Sequence, residues 1–433
     1  MFERPQSGET ALLVQVSLDF LLSEADQHEF KELARSAGAT IVDSLHIIRK
    51  IAEPKYLIGK GKAEEIQQHI QAQNIELVMF NATLSPSQER NLEALFQCRV
   101  LDRTGLILDI FAQRARSHEG KLQVELAQLR HLSTRLIRGW THLERQKGGI
   151  GLRGPGETQL ETDRRLLGAR IKQIGKRLDK VIAQRSLVRS GRKRKGFPVV
   201  AIVGYTNAGK STLFNLLTDA EVYAQDQLFA TLDTTLRKLK DSGNDEVLLT
   251  DTVGFVSNLP HELVAAFKST LQETVEADLL LHVIDSADPE HLERERNVLD
   301  ILKEIGADEV PTIRVYNKID LTGQAPQVIK NDGEVSAVFV SSLTGAGMDL
   351  LSDAVLKYFY GEMLEGQLVI PPRCAKLRAR LFEEDIIVKE SYDEHGNALA
   401  TVKLSSVHYQ QLLRDFPDEH EVLAVLDYAE PTT

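Results

Sequence analysis

An apolar segment that runs directly into a glycine-rich loop constrains this chain more than any other feature. Residues 197–203 read Phe-Pro-Val-Val-Ala-Ile-Val, an uninterrupted apolar strand typical of a parallel sheet covered on both faces. The loop that follows fits G-x-x-x-x-G-K-[ST], and a helix is predicted over 211–217, the setting that a phosphate-binding loop requires. A nucleoside triphosphate is therefore expected to bind Gly204, Tyr205, Thr206, Asn207, Ala208, Gly209, Lys210 and Ser211.

Three shorter motifs follow in order and identify the base. They comprise Asp251, Thr252, Val253 and Gly254, then Asn317, Lys318, Ile319 and Asp320, then Ser341, Ser342 and Leu343. A carboxylate at position 320 can accept two hydrogen bonds, from the ring NH and the exocyclic amine of guanine. Adenine lacks this donor pair and would leave the carboxylate unpaired, so a polar site of this kind rejects adenine. The four motifs together predict GTP.

The phosphates and a magnesium ion account for the other residues of these motifs. The loop backbone is expected to cradle the phosphates, with Lys210 on the β and γ groups and the Ser211 hydroxyl on Mg²⁺. Asp251 should be the acidic partner of that ion, through water, and the Gly254 NH should meet the γ-phosphate. A threonine from residues 229–235 should complete the coordination, and position alone leaves Thr231, Thr234 and Thr235 open.

Two residues suggest how hydrolysis differs from that of Ras-like GTPases. Phe255 stands where those enzymes place a glutamine that orients the attacking water, and a phenyl ring cannot do this. Intrinsic hydrolysis should therefore be slow, or another group must hold the water. Asn207 could bind a potassium ion beside the phosphates, or it could only brace the loop.

One strongly basic segment lies within an otherwise acidic chain. Residues 110–197 hold 22 lysine and arginine residues against 7 acidic ones, whereas the whole chain has a net charge of −11. Apolar residues spaced alternately by 4 and 3 over 121–145 and 167–188 predict two helices that pair as an antiparallel hairpin. Ser133 and Arg185 each interrupt this seam once. The charge favours contact with nucleic acid, although a solvated helical pair is the alternative.

The tip of this hairpin, residues 147–157, combines five glycines with exposed apolar and basic side chains. Glycines allow close approach of the backbone to a partner, and Arg153 adds positive charge. We therefore expect the tip to contact another molecule. Residues 190–196, which are rich in basic residues and glycine, are predicted to be a linker.

The chain is predicted to form four parts: an α/β subdomain (1–109), the basic hairpin (110–197), a doubly wound GTP-binding domain (198–365) and a small α+β domain (366–433). In the last part, strands are predicted over 376–389, 398–404 and 421–426, with a helix over 407–416. The chain lacks a long apolar run or a leader pattern and has only two cysteines, Cys98 and Cys374. A monomer in the reducing cytoplasm is expected.

The chain resembles the HflX family of GTPases, within the wider Obg-HflX group. The resemblance rests on Gly-Gly-Ile-Gly-x-Arg-Gly-Pro-Gly-Glu-Thr-Gln-Leu-Glu at 148–161, the phosphate loop, Phe-Ala-Thr-Leu-Asp-x-Thr at 229–235 and Asp-Thr-Val-Gly-Phe at 251–255. It implies Thr231 as the magnesium-binding threonine and Lys210, Thr231, Gly254 and Asn207 as catalytic groups. It also implies potassium dependence through Asn207. The nucleotide-contacting residues of the switch would be Phe229, Ala230, Thr231, Leu232 and Asp233.

The resemblance also implies a partner and a role. Members bind the large ribosomal subunit and are implicated in splitting stalled or stress-inactivated ribosomes, so the hairpin tip with Arg153 would enter ribosomal RNA near the peptidyl-transferase region. Two other roles remain open: a GTPase of large-subunit assembly, and an ATP-dependent RNA remodelling enzyme that uses the N-terminal domain. A metabolic kinase is disfavoured by residues 317–320 and by the lack of an evident acceptor site.

Overall fold

The computed structural model describes residues 9–18, 23–139, 155–195, 197–218, 228–229, 235–240, 247–256, 268–361, 363–384 and 386–428. The predicted tip contact, including Arg153, therefore lies mostly outside the described residues. So do Ala230, Thr231, Leu232 and Asp233 of the predicted switch. None of the described helices is long and apolar enough to span a membrane.

The N-terminal part is a parallel α/β layer, as its alternating strand and helix patterns predict. Its sheet has the strand order β2-β1-β3-β4, and all of its pairings are parallel. Its elements are β1 (Thr10–Leu18), α1 (Glu24–Ser36), β2 (Thr40–Arg49), α2 (Lys60–Gln73), β3 (Leu77–Phe80), α3 (Pro86–Phe96), β4 (Arg99–Leu101) and α4 (Arg103–Arg114). Alternate residues of β1 enter two apolar clusters, Leu13 on the face of α1 and α4 and Leu12 on the other, so both faces are covered.

The hairpin consists of two helices, α5 (His118–Gly139) and α6 (Pro155–Lys195). Ion pairs join Glu119 to Arg185 at 2.8 Å and Glu125 to Arg170 at 2.6 Å. Because the later residue of α5 meets the earlier residue of α6, the helices run antiparallel. The predicted seam is buried at Leu122, Leu126, Ile174 and Leu178. The predicted linker over 190–196 is wrong for most of its length, since α6 continues to Lys195.

The GTP-binding part is a seven-stranded sheet with strand order β10-β11-β9-β8-β5-β7-β6. Its central strands are parallel, and the two edge pairs, β6 with β7 and β10 with β11, are antiparallel. The elements are β5 (Val199–Gly204), α7 (Lys210–Thr218), β6 (Leu236–Lys238), β7 (Leu248–Asp251), α8 (Lys268–Val275), β8 (Leu279–Asp285), α9 (His291–Ile305), β9 (Thr312–Asn317), α10 (Ile319–Thr322), β10 (Gln327–Asn331), β11 (Glu334–Phe339) and α11 (Met348–Tyr360). The sequence pattern misses both antiparallel edge strands, which are short and largely exposed.

The C-terminal part is an α+β unit with an antiparallel sheet of order β12-β14-β13. Its elements are β12 (Met363–Ile370), α12 (Ala375–Glu383), β13 (Ile387–Tyr392), β14 (Ala398–Ser405), α13 (Ser406–Asp415) and α14 (His420–Leu423), with 3-10 turns at Pro372–Cys374, Pro417–Glu419 and Ala424–Tyr428. The strand predicted over 376–389 is wrong in its first half, where α12 forms. The strand predicted over 421–426 is also wrong, because α14 and a 3-10 turn occupy that segment.

Candidate nucleotide-binding site

The phosphate loop leaves the carboxyl end of β5 at the centre of the sheet. Carboxyl ends of parallel strands share one edge, so the ends of β7 and β9 also reach this loop. Gly204 has a φ of 149°, and a Cβ atom there would lie 2.3 Å from the Val283 carbonyl oxygen on neighbouring β8. Only glycine therefore allows this close approach of the two strands.

Lys210 begins α7 and points back across its own loop. Its Nζ donates a hydrogen bond to the Tyr205 carbonyl oxygen at 2.6 Å, and the residue is only 6% exposed. Burial lowers the pKa of Lys210 to about 8; the Asp251 carboxylate opposes this shift and the Lys318 charge adds to it. A buried ammonium group that has left water in this way would be stabilised by a phosphate anion.

Ser211 and Asp251 form a pair of oxygen groups suited to magnesium. The Ser211 hydroxyl donates to Asp251 Oδ2 at 2.8 Å, and Asp251 is fully buried at the end of β7. Hydroxyl and carboxylate oxygens are hard ligands of the kind that Mg²⁺ binds. The described residues hold no group of three or more His, Cys, Asp or Glu that could bind a metal, so water and phosphate would supply most other ligands.

The segment after Asp251 is fixed against the phosphate loop. The Thr252 hydroxyl donates to the Ile202 carbonyl oxygen at 2.6 Å, which holds the chain against β5. A Cβ atom on Gly254 would lie 2.7 Å from Thr206 Cγ2 and 3.0 Å from Lys210 Nζ. The glycine thus lets the backbone come close to the loop and to the lysine, where the predicted γ-phosphate contact would form.

Phe255 belongs to the protein core. It is 1% exposed and shares an apolar cluster with Leu271 and Leu280. Its carbonyl oxygen accepts from the Thr206 NH at 2.8 Å, and its own NH donates to the Gly204 carbonyl oxygen at 3.2 Å. Phe255 therefore positions the backbone beside the phosphate loop and offers no polar group to a water molecule.

The base-recognition motif is joined to the phosphate loop by Asn317. This buried side chain donates from Nδ2 to the Ala208 carbonyl oxygen at 2.8 Å and to Ser342 Oγ at 2.9 Å. Its Oδ1 accepts from the Ser342 NH at 2.8 Å. The predicted bracing role of Asn317 thus has a geometric basis, because one amide links the loop, β9 and the 341–343 segment.

The carboxylate that is predicted to recognise guanine is held by a hydroxyl of the 341–343 segment. Asp320 Oδ1 accepts from the Ser341 hydroxyl at 2.5 Å. Lys318 has a φ of 65°, and its Nζ pairs with Asp285 Oδ2 at 2.8 Å. The structure leaves Leu343 80% exposed, so its backbone rather than its side chain is suited to cover a base.

Asn207 is exposed, whereas its neighbours Thr206 and Ala208 in the phosphate loop are buried. Its backbone has a φ of 60°, a left-handed conformation that asparagine tolerates better than most residues. The potassium contact and the bracing role of Asn207 both stay predictions.

Two further polar groups of the site were not predicted. Asp285, which pairs with Lys318, could have been found, since it follows the apolar strand Leu-Leu-Leu-His-Val-Ile at 279–284. Glu29 contacts the Tyr205 hydroxyl from the N-terminal domain, across 176 positions of sequence. No local pattern around Glu29 indicates this contact.

Comparisons with known proteins place the chain among GTP-binding GTPases. Three family models match: "GTP-binding GTPase N-terminal" over residues 24–112, "GTP-binding GTPase Middle Region" over 114–192 and "50S ribosome-binding GTPase" over 199–318. Among solved structures, a complex of SsGBP with GDP aligns with 81% of this chain and 98% of its own, at 26% identity and a TM-score of 0.48.

Two curated relatives extend the match over nearly the whole chain. The GTPase HflX of Escherichia coli K12 is 52% identical over 430 residues, which cover 99% of this chain and 100% of that protein. The GTPase HflX of Caldanaerobacter subterraneus subsp. tengcongensis is 45% identical over 396 residues, covering 92% and 91% of the two chains. The chain described here belongs to the HflX family of GTPases.

Proposed function

We propose that this chain is a GTP-driven switch that binds the large ribosomal subunit and splits stalled or stress-inactivated ribosomes, with hydrolysis releasing it. The family description as a 50S ribosome-binding GTPase supports the partner. The basic charge of the hairpin supports contact with ribosomal RNA, because neutralisation of phosphates is the main attraction in such interfaces. The remaining requirement is a physical link between the nucleotide and the hairpin.

That link is an apolar cluster shared by the hairpin and by the two segments that GTP would order. These are the first switch, residues 229–235, and the second switch, residues 251–255. The cluster is the observation that carries the proposal. Leu228 and Phe229, which precede the switch threonine, lie in one cluster with Val253 and Val256, which flank Gly254. The same cluster contains Val124 and Ala127 of hairpin helix α5. Packed cores shift between discrete arrangements rather than deform continuously. Rearrangement of either switch would therefore displace the side chains that pack at the base of the hairpin.

Arg185 provides a second, polar link. This residue interrupts the apolar seam of α6, and it pairs with Glu119 of α5 at 2.8 Å. Its Nη1 lies 3.8 Å from Glu273 on α8, the helix that follows the second switch. Both glutamates are nearly buried, so the interruption of the heptad pattern places one guanidinium between the hairpin and the GTP-binding domain.

The nucleotide would act by ordering the two switches. Magnesium bound by Ser211 and Asp251 would neutralise phosphate charge, and we assign its third protein ligand to Thr231. The GTP and GDP states must differ in affinity for the ribosome, because a partner that binds both equally shifts nothing. Phe255 offers no group to a water molecule, so we assign activation to the ribosome and to potassium held near Asn207.

The first experiment measures GTP hydrolysis in potassium and in sodium buffer, with and without purified large ribosomal subunits. Strong stimulation that requires potassium is the expected result. Stimulation by subunits that is equal in sodium would reject the potassium role while keeping the partner. An unchanged rate with subunits, in a preparation that hydrolyses GTP, would overturn the ribosome as activator.

The second experiment tests the hairpin tip with Arg153→Ala. Loss of one charge-assisted contact of about 1.5 kcal/mol should slow splitting of intact ribosomes, followed by light scattering, roughly tenfold. Binding of GTP should not change, since Arg153 belongs to none of the four nucleotide-binding motifs. Lys121→Ala removes the same charge from an exposed site at the hairpin base and should split ribosomes at the normal rate. Equal effects of the two variants would argue against a role for the tip.

The two alternative functions give different outcomes in the same assays. An assembly GTPase should be stimulated more by precursor large subunits than by mature ones. An ATP-dependent RNA remodelling activity in the N-terminal domain should survive Lys210→Ala, which removes the phosphate-binding lysine. ATPase activity lost together with GTPase activity in this variant would reject that alternative.

A further inference from the structure

The phosphate loop is attached to the N-terminal domain by a buried polar chain. The hydroxyl of Tyr205, the second residue of the loop, donates to Glu29 Oε2 on α1. The other oxygen of the same carboxylate accepts from Arg103 Nη2 at the start of α4. These hydrogen bonds lie almost completely out of water, because the exposed fractions are only 6% for Tyr205, 7% for Glu29 and 9% for Arg103.

Stability alone is a poor explanation for such a chain. A carboxylate and a guanidinium that leave water lose favourable hydration free energy, and their mutual attraction often does no more than offset this loss. Apolar side chains of similar size would join two domains at least as firmly. What a buried, directional hydrogen bond adds is a fixed position for the group that it holds, here the hydroxyl of Tyr205.

The position of Tyr205 matters because its backbone contacts both the phosphate-binding lysine and the second switch. Its carbonyl oxygen holds the Nζ of Lys210. Its backbone forms a parallel bridge with Phe255 of the second switch, closed by the hydrogen bonds of Gly204 and Thr206 described above. A displacement of Tyr205 would therefore move the phosphate-binding lysine and the second switch together.

The ring of Tyr205 has little freedom to move. The guanidinium carbon of Arg294, on α9, lies 4.8 Å from the ring centroid, over one face. The ring also belongs to the apolar cluster that contains Phe255 and Val298. With the ring packed and the hydroxyl bound, the N-terminal domain holds the phosphate loop through the side chain of Tyr205.

We propose that Glu29, oriented by Arg103, is a positioning residue for GTP hydrolysis that acts through the Tyr205 hydroxyl on Lys210 and Phe255. The GTP-binding domain alone would then have an incompletely ordered site, and docking of the N-terminal domain would complete it. This inference rests on GTP hydrolysis and not on the ribosome as partner. It can fail while the proposed function holds, and the reverse is also true.

The test uses Tyr205→Phe in the full-length chain, because this variant removes one hydroxyl and keeps the ring in its cluster. We expect kcat for GTP hydrolysis without ribosomes to fall about tenfold, with KM and the affinity for fluorescent GDP nearly unchanged. Glu29→Gln should lower kcat in the same way, because it weakens the acceptor of the Tyr205 hydroxyl and removes the negative charge that Arg103 Nη2 contacts.

Two comparisons separate positioning from a general loss of stability. Since Tyr205→Phe and Glu29→Gln act through one contact, the double variant should be no slower than the slower single variant. Glu32→Gln changes a glutamate on the same helix that pairs with Arg35 at the surface, and it should leave kcat unchanged.

Several outcomes would overturn the inference. An unchanged kcat in Tyr205→Phe would mean that the hydrogen bonds of Tyr205, Glu29 and Arg103 only anchor the two domains to each other. A fall in kcat that is matched by weaker GDP binding and a lower Tm would mean that the site unfolds locally rather than loses alignment. A rise in kcat would show that the contact restrains hydrolysis.

Discussion

The Phe229 ring stands edge-on against Phe111, with the ring centroids 4.6 Å apart and the planes inclined at 72°. Phe111 belongs to α4 of the N-terminal domain, whereas Phe229 lies two residues before Thr231. Both rings are at most 2% exposed. Edge-to-face aromatic pairs contribute about 0.5–1.5 kcal/mol beyond the burial of their surface. The start of the first switch is therefore anchored in the N-terminal domain.

A smaller side chain at Phe111 should weaken the contact with Phe229 and so weaken the coupling between ribosome binding and GTP hydrolysis. Phe111→Leu keeps an apolar side chain but removes the ring face, at a cost in unfolding free energy of about 1–1.5 kcal/mol. Because the rest of the nucleotide site is untouched, GDP affinity should stay the same. The stimulation of GTP hydrolysis by large ribosomal subunits should fall several-fold.

The matched control is Phe30→Leu, which makes the same substitution in the same apolar cluster but not at the ring that meets Phe229 edge-on. It should lower Tm by a similar amount and keep the stimulation. If both variants lose stimulation in proportion to Tm, the Phe111–Phe229 pair has no specific part in coupling.

The sequence best predicted those parts of the site that belong to nucleotide-binding motifs with a fixed residue spacing. The phosphate loop, Asp251 and Asn317 each follow an apolar strand, and parallel topology brings such strand ends to one edge. The contacts of Ser211 with Asp251 and of Asn317 with Ser342 are the geometric result. These positions could be predicted because each depends on a local motif and on a general rule of sheet topology.

The C-terminal domain shows where local pattern reading fails. Leu377 and Leu381 are buried and Ala379 is exposed, a spacing of four that belongs to α12. Read as a continuation of the apolar run at 386–388, the same residues suggested a strand. The contact of Glu29 with Tyr205 was beyond prediction for another reason, since it depends on how two domains dock and leaves no period in the sequence.

Lys210 should make nucleotide affinity depend on pH. Its pKa in the free protein is about 8, so the ammonium group loses its proton above that pH. Phosphate oxygens favour the charged form, and binding above pH 8 must therefore take up a proton. The affinity for GDP should be constant below about pH 7.5 and should fall as pH rises through 8, by up to about tenfold per pH unit.

This dependence can be measured by fluorescent GDP titration between pH 7 and 9, with calorimetry in two buffers to count protons. Lys210→Arg supplies the control, because a guanidinium stays charged over this range while any titration of guanine itself is retained. An affinity profile for the wild-type chain that is as flat as that of Lys210→Arg would show that the lysine is charged before the nucleotide arrives.

Asp320→Asn should change the base that the site accepts. The carboxylate can take two hydrogen bonds from guanine, and an amide replaces one acceptor by a donor. Hydrogen bonds to a charged group are worth about 1.5–3 kcal/mol each, so GTP affinity should fall by roughly two orders of magnitude. Xanthine carries a carbonyl oxygen where guanine carries the amine, so XTP should bind the variant better than GTP does.

Competition between GTP, XTP and a fluorescent nucleotide, measured for both proteins, gives the specificity ratio directly. Ser341→Ala is a useful companion, since it removes the hydroxyl that holds Asp320 and keeps the carboxylate. It should weaken GTP binding only a few-fold and leave the preference for GTP over XTP intact. Unchanged discrimination in Asp320→Asn would mean that another group recognises the base.

Gly254→Ala should separate nucleotide binding from hydrolysis. The added methyl group would lie 2.7 Å from Thr206 Cγ2 and 3.0 Å from Lys210 Nζ, so the second switch must move away from the phosphate loop. GDP affinity should change less than about threefold, because Asn317 and Asp320 are not disturbed. The rate of GTP hydrolysis should fall by at least about tenfold, since the backbone NH no longer reaches the γ-phosphate. Gly61→Ala adds a methyl group at a position with no atom within 4 Å, and it should leave the rate unchanged. A normal rate in Gly254→Ala would show that this backbone approach is not needed for hydrolysis.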